Sequence, residues 1–265
     1  MFDLNYLADQ FNLYLLIFVR VAGIVAATPI LGSRMVPNIL KIGMVGLTAF
    51  FLLPVVDADP TLFGNTLSDL ALVIIKEMAI GYAMGFILSL VFMVLQMAGQ
   101  MMEVPMGFSM VNVLDPMLGQ QVPILGQFQY VLAVVTFLTL DGHHLVLKAL
   151  ADSFQLVPLG GWSFWPGFTE ICIRAFSLSF RLGFQIALPV VAVLLITDVA
   201  LGLIARTVPQ MNVFILGFPL KIIIGLLFVM LLLPMYVAFM ENLFSPSGDF
   251  FQYLRSVLGG RSLGV

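Results

Sequence analysis

Apolar residues are grouped along the chain into long, nearly uninterrupted runs, which are separated by short stretches rich in Pro, Gly and Asp. A helix needs about 20 residues to cross the hydrocarbon core of a bilayer, so runs of this length are typical of membrane helices. The runs lie at about residues 11–31, 39–56, 67–98, 124–140, 170–205 and 214–241. As a single helix, at about 1.5 Å per residue, the third run would be longer than the core thickness of about 30 Å. We therefore expect an all-α, polytopic membrane-type protein, built of helical hairpins with broken helices.

The composition supports a membrane protein, because 61% of the residues are apolar and only 9% are charged. Soluble domains usually carry about 25% charged residues. The net charge of −3 and the absence of any basic cluster give no reason to expect nucleic acid as a partner. The single cysteine, Cys172, excludes a disulfide framework within the chain. The first ten residues include acids and no basic residue, so we expect no cleavable signal peptide.

One stretch, from Gln96 to Gln127, is rich in Met yet is interrupted by glycines and prolines. It contains no Lys or Arg, and its only acids are Glu103 and Asp115. Proline removes a backbone donor and glycine tolerates unusual backbone, so the stretch predicts irregular structure with apolar side chains. Such backbone is tolerated at membrane depth only where protein buries it or where it lines a cavity. We therefore expect a loop that lies inside an assembly and closes a passage.

Charged side chains interrupt several apolar runs, although a charge at the bilayer centre costs roughly 2.5–3.5 kcal/mol on insertion scales. One interpretation is a proton or ion path, and the other is pairing between helices or snorkelling to the membrane interface. The second is favoured, since a proton path would need several carboxylates facing one another. Near the turn after the fifth run, the polar residues could form a hairpin tip at the membrane surface or a docking surface for another protein. The residues expected to make intersubunit or charged contacts are Arg20, Asp198, Arg206, Gln210, Asn212 and Lys221.

The sequence contains none of the common catalytic signatures, such as HExxH, GxSxG or a phosphate-binding glycine loop. We therefore do not expect an enzyme or a cofactor. His143 and His144 are adjacent, so on a helix their rings should diverge, and no metal site is expected there.

The stretch from Ala205 to Lys221 contains the motifs ARTVPQMNVF and GFPLK. Together with three other stretches, it resembles the FliR family, the export-gate subunit of flagellar type III secretion, whose injectisome relatives are the SctT proteins. It is the most specific of the four stretches. Between Pro116 and Gly119 the family usually has a more polar residue, whereas this chain has Met117 and Leu118. The other stretches are Arg20 to Pro29 with Arg34 to Pro37, Ala98 to Gln100 with Gly107 to Ser109, and Asp115-Pro116 with Gly119 to Pro123.

The resemblance implies a single export-gate domain over residues 1–265. A FliP-like part at about 1–169, which includes the loop at 101–123, would be joined to a FliQ-like helical hairpin at about 170–241, with a tail at 242–265. The polar, Gly- and Ser-rich composition of the tail predicts partial disorder. Such subunits assemble with FliP-like and FliQ-like subunits into a closed pore in the flagellar basal body of the bacterial inner (cell) membrane. FlhB-like and FlhA-like export components and unfolded export substrates would be further partners.

By the same resemblance, the plug loop of the family corresponds to about residues 107–122. Methionine side chains are unbranched and polarisable, so they can seal around varied shapes. The alternative is that these residues make ordinary buried contacts with partner subunits. The residues predicted to form the seal are Met101, Met102, Met106, Gly107, Phe108, Met110, Val111, Val113, Asp115, Pro116 and Met117.

Other functions stay open at this point. The chain could be the equivalent SctT-type subunit of a virulence injectisome, or a membrane scaffold that transports nothing. It could also be a small-solute secondary transporter, with Arg20, Asp198 and Lys221 at a midplane site between broken helices.

Overall fold

A computed structural model describes residues 4–29, 31–33, 36–56, 67–108, 123–161, 167–208, 210, 212–245, 248, 252–253 and 258. This part of the chain contains helices and no strand, which confirms the predicted all-α fold. The helices are α1 (Leu4–Ala27), α2 (Asn38–Leu52), α3 (Leu67–Met106), α4 (Ile124–Thr139), α5 (Gly142–Leu156), α6 (Gly167–Thr207) and α7 (Val213–Phe244).

Four of the described helices, α1, α3, α6 and α7, are long and apolar enough to cross a membrane. Helices α4 and α5 together meet the same criteria as one broken span. Helix α2 has 15 residues, so its length of about 22 Å is less than the hydrocarbon core. Leu53 still has helical backbone angles, and the helix stops there because Pro54 has no backbone N–H to continue the hydrogen-bond pattern.

Helix α3 continues to Met106, so the prediction of irregular backbone from Gln96 is wrong for residues 96–106. Pro105 lies in the last turn of α3, and the helix ends one residue later. Gly99 serves close packing rather than flexibility, because a Cβ there would lie 2.6 Å from Cα of Gly126 on α4. The position thus needs hydrogen as its side chain, and the glycine does not break the helix.

The contacts divide the chain into two compact units. Unit 1 contains residues 1–90, 141–175 and 244–265, and unit 2 contains residues 91–140 and 176–243. This division does not follow the boundaries expected from the resemblance, and the proposed FliP-like and FliQ-like parts stay a prediction.

Unit 1 has an apolar core formed by α1, α2, the first part of α3, and α5. Leu16 and Ile17 of α1 are completely buried in it, together with Leu150 of α5. Leu258 also packs in this core. The partial disorder of the tail stays a prediction; its described residue Leu258 is buried, because an apolar side chain gains free energy when a core covers it.

Unit 2 contains the end of α3, helix α4, and most of α6 and α7. Phe92 of α3 packs edge-on against Phe137 of α4, with ring centroids 5.4 Å apart. Gly183 of α6 lies against Met97 of α3. Helix α6 is continuous through Pro189.

Candidate functional site

Two fully buried charges form an ion pair inside unit 1. Nε of Arg20 on α1 lies 2.6 Å from Oε2 of Glu77 on α3, and both side chains are 0% exposed. Burying an ion pair costs desolvation energy that is offset only when the geometry is good and the remaining polar atoms are satisfied. The surroundings of the pair therefore decide whether it is stable.

The remaining polar atoms of this pair are satisfied by α5 and by the turn that follows it. Arg20 donates from Nη1 to Oγ of Ser153 at 3.2 Å, and from Nη2 to the carbonyl oxygen of Val157 at 3.0 Å. Oε1 of Glu77 accepts a hydrogen bond from the backbone N–H of Gly160 at 2.9 Å. The guanidinium carbon also lies 4.1 Å from the centre of the Phe154 ring. We call Arg20, Glu77, Ser153, Val157 and Gly160 the buried charge network.

The sequence places the ion pair and the closest helix contact on the same interface. Residues three or four apart share one helix face, so Arg20 lies beside Gly23 on α1, and Glu77 lies on the same face as Gly81 and Gly85 on α3. A Cβ at Gly23 would lie 2.8 Å from the carbonyl oxygen of Met78, and one at Gly85 would lie 2.7 Å from that of Ile24. Gly81 and Gly85 are four residues apart, a spacing of small residues that suits close helix packing. The glycines bring the helices near enough for Arg20 to reach Glu77.

The sequence reasoning missed Glu77 as the partner of Arg20. The available signal was an acid within one apolar run and a base of opposite charge within another. This pairing between helices accounts for Arg20 without a path for ions. Both charged side chains are fully buried, so the network connects α1, α3 and the end of α5 inside unit 1.

The base of the Met-rich loop lies in unit 2, where α3 ends and α4 begins. Met102 and Met106 are completely buried among helices of this chain. Sδ of Met102 lies 3.8 Å from the hydroxyl oxygen of Tyr236, and Met106 packs so closely on α7 that a Cβ at Gly225 would lie 2.6 Å from its methyl carbon. These two methionines thus anchor the end of α3.

Gly107 ends helix α3 with a φ of +92°, a backbone conformation that favours glycine. A Cβ at this position would also lie 2.7 Å from the ring of Phe218. Both the backbone and the space therefore require glycine here. Met101 and Phe108, on either side of this end, are partly buried.

Glu103 connects the two ends of the loop. Its Oε1 accepts a hydrogen bond from the backbone N–H of Ile124, the first residue of α4, at 3.0 Å. A carboxylate at a helix N-terminus satisfies a free N–H and interacts favourably with the helix dipole. Its other oxygen is buried without a hydrogen-bond partner, as is Oε1 of Gln129. Sequence reasoning noted Glu103 only as an acid in the stretch and did not predict this cap.

Six of the residues predicted to form the seal lie outside the residues that the structure describes: Met110, Val111, Val113, Asp115, Pro116 and Met117. The other five, Met101, Met102, Met106, Gly107 and Phe108, lie at the end of α3 and in the turn after it. Sealing stays a prediction for all eleven residues.

The second group of predicted charged contacts lies on the hairpin of α6 and α7 in unit 2. Nζ of Lys221 on α7 lies 2.7 Å from Oδ1 of Asp198 on α6, with side-chain exposures of 13% and 44%. Arg206 and Gln210 are exposed near the turn between the helices. The carbonyl oxygen of Asn212 accepts the backbone N–H of Ile215 at 3.1 Å and so begins α7. Contacts of these residues with other proteins stay a prediction.

The hairpin exposes a large amount of apolar surface. In the most apolar 18-residue segment of each helix, only 17% of the residues of α7 and 33% of those of α6 are buried, against 67% of those of α3. Isolated exposed apolar residues are normal, but contiguous apolar faces of this size mark contacts with lipid or protein. Among the most exposed are Ile196, Val199, Ile215, Ile223, Met230 and Leu231.

Residues 11–247 match the family model described as bacterial export proteins, family 1. The chain is 35% identical to the flagellar biosynthetic protein FliR of Bacillus subtilis (strain 168), over 97% of this chain and 99% of the relative. It is 33% identical to FliR of Escherichia coli (strain K12), over 88% and 89% of the two chains. It is 29% identical to FliR of Aquifex aeolicus (strain VF5), over 93% and 95%.

Proposed function

The chain belongs to family 1 of the bacterial export proteins, and on this premise we propose that it is a structural and gating subunit of the flagellar type III protein export channel. Similarity to flagellar FliR proteins over nearly the whole chain is the observation that carries the proposal. At the coarser level, the protein is a flagellar export component embedded in a membrane. The bacterial inner membrane and the flagellar basal body are the proposed location.

In this proposal the chain assembles with FliP-like and FliQ-like subunits, and it meets FlhB-like and FlhA-like components and unfolded export substrates. The apolar surface of the α6–α7 hairpin supports an assembly, because most residues in the apolar segments of these two helices are not buried by the chain itself. Helix α2 supports it as well: it is too short to cross a bilayer, yet Ile39, Ile42 and Phe51 on it are exposed.

The second part of the proposal is that residues 107–122 form a plug loop that seals the pore. Two features of unit 2 support a loop held on fixed ends. Met102 and Met106 bury the end of α3, and Glu103 binds the first N–H of α4. A seal must hold back ions and yet pass chains of any sequence, and methionine side chains adapt to varied shapes without a fixed charge.

The loop hypothesis is tested by shortening residues 107–120 in cells and measuring both membrane conductance to small ions and export of flagellar substrates. We expect the cells to leak ions while export persists, because the seal is lost but the passage is intact. A matched pair separates apolar sealing from loop length. Replacing Met110 and Met117 with Leu should leave conductance unchanged, whereas replacing both with Asn should raise it. Unchanged conductance in the shortened variant would remove the basis for a seal.

The injectisome alternative has less support, since the relatives that match at 35% and 33% identity are both flagellar proteins. The transporter alternative is also less favoured, because its three residues are already paired: Arg20 with Glu77 in unit 1, and Asp198 with Lys221 in unit 2.

A further inference from the structure

Three side chains at the start of α5 place potential metal-ligating atoms close together. They are Asp141, His143 and His144, and one ligand atom from each lies within 4.8 Å of the others. Oδ1 of Asp141 lies 3.5 Å from Nδ1 of His144 and 4.0 Å from Nε2 of His143. The two imidazole rings are 4.2 Å apart between centroids, so the expectation that adjacent histidines diverge is wrong here. The three side chains are largely exposed, at 74% for Asp141, 47% for His143 and 70% for His144, so they can move toward one another.

The backbone at Asp141 fits an unusual role for this residue. Among the described non-glycine residues it alone has a positive φ, of 53°. Aspartate at the position before a helix normally caps it by accepting a backbone N–H, but the Asp141 side chain makes no such hydrogen bond. Its carboxylate is directed instead toward the two imidazoles. This geometry leaves the carboxylate free to bind a cation together with the two rings.

We propose that Asp141, His143 and His144 form a binding site for a divalent transition-metal ion of the Zn²⁺ class. Metal–ligand distances of about 2.0–2.2 Å place two ligands of a tetrahedral ion about 3.4 Å apart. The observed separations need only small side-chain rotations to reach this value, and the exposures of 47%, 70% and 74% allow them. Two imidazoles and one carboxylate suit Zn²⁺, Ni²⁺ or Cu²⁺ and not Mg²⁺ or Ca²⁺, which take oxygen ligands. Water would fill the remaining coordination positions.

The carboxylate is the essential ligand in this site. The positive end of the α5 dipole opposes a cation at the helix N-terminus, and only Asp141 supplies negative charge among the three ligands. A bound ion would hold the left-handed turn at Asp141 in place of the missing cap. The proposal does not depend on the export function, because it concerns only the start of α5.

Few other side chains can compete for Zn²⁺, since the chain contains two histidines and one cysteine in total. The full-length protein, purified without a polyhistidine tag, is titrated with Zn²⁺ and separately with Mg²⁺ by calorimetry. We expect one Zn²⁺ bound per chain and no Mg²⁺. Loss of even an outer-shell partner costs about 10–100-fold in metal affinity, so His143→Ala and His144→Ala should each raise the Kd for Zn²⁺ by at least this factor. Asp141→Asn should abolish binding.

Two variants serve as controls. Gln155→Ala removes an exposed polar side chain from the same helix and should leave the Kd unchanged. Cys172→Ser removes the one thiol that could bind Zn²⁺ elsewhere and should also leave it unchanged. Zn²⁺ should raise the Tm of the wild-type protein and not that of the double variant His143→Ala/His144→Ala, because only a ligand of the folded state stabilises it. Equal Zn²⁺ uptake by the wild-type protein and this double variant would overturn the proposal.

Discussion

The two units differ in how far their ion pairs are buried. In unit 1 the Arg20–Glu77 pair is completely enclosed. Ser153 and Val157 accept hydrogen bonds from Arg20, and Gly160 donates one to Glu77. In unit 2 the Asp198–Lys221 pair lies on a hairpin whose apolar side chains face outward, and Asp198 is 44% exposed. The charged pair of unit 1 thus has hydrogen-bond partners within the unit, whereas the hairpin of unit 2 presents apolar surface for lipid or other proteins to cover.

This difference indicates where stability and assembly reside. A buried ion pair contributes little in itself, but removing one partner leaves an uncompensated charge in an apolar core. A partly exposed pair gains little, because water screens it. We therefore expect changes in the buried charge network to affect folding, and changes on the hairpin to affect association.

The largest effect is expected from Glu77→Ala, which leaves the Arg20 guanidinium buried without a counter-charge. The loss should be about 3–5 kcal/mol in the free energy of unfolding. It is measured by denaturant unfolding of the purified protein in detergent, with the amount of folded protein in membranes as a second readout.

The double variant Arg20→Met/Glu77→Leu is the control for this prediction. Replacing a buried pair by apolar residues of similar volume is often close to neutral. The double variant should therefore be more stable than Arg20→Met alone or Glu77→Leu alone. Because the pair acts as a unit, the two single losses should not add. Strictly additive losses would show that the two charges do not interact.

A second, smaller effect concerns the glycines that bring α1 and α3 together. Gly81→Ala should destabilise unit 1 by roughly 1–3 kcal/mol, since the new methyl group would overlap the backbone of α1. Gly43→Ala on α2 is the matched control, because nothing lies within 4 Å of a Cβ there. Alanine is the better helix former by roughly 0.5–1 kcal/mol, so this variant should gain stability. If both variants had the same unfolding midpoint, close packing at Gly81 would not matter.

The smallest effect on stability is expected from Asp198→Asn in unit 2. The purified chain should lose at most about 1 kcal/mol, as for other exposed ion pairs. Association should respond more strongly, because a partner covering the hairpin would bury Lys221 without its counter-charge. The fraction of chain in the intact complex, measured by native mass spectrometry, should fall. Glu170→Gln, which removes the exposed pair with Arg174, should change neither quantity. An unchanged complex with Asp198→Asn would place this pair outside any interface.

Most of the helices were predictable, because long apolar runs leave few other structures possible in a membrane. The boundary of α3 was not. Gly99 and Pro105 have the composition of a break, yet Gly99 lies in a helix because Gly126 packs directly against it. The sequence shows which residues permit a bend, and packing determines which of them bend.

The candidate sites divide in the same way. Arg20 was identifiable as a charge in an apolar run, but its partner Glu77 lies 57 positions away and is brought near only by the packing of α1 on α3. Glu103 was identifiable as an acid in a Met-rich stretch, but its role as a cap depends on where α4 begins. The two histidines were noted, but the position of their rings beside Asp141 depends on side-chain conformations that the sequence does not show.

The sequence by itself determined that this is a helical membrane protein of the export family, because composition, apolar run length and local motifs are properties of neighbouring residues. The tertiary structure alone decided which charges pair, which glycines allow contact and which apolar faces stay uncovered. These depend on distances between residues far apart in the chain, and helix packing sets those distances.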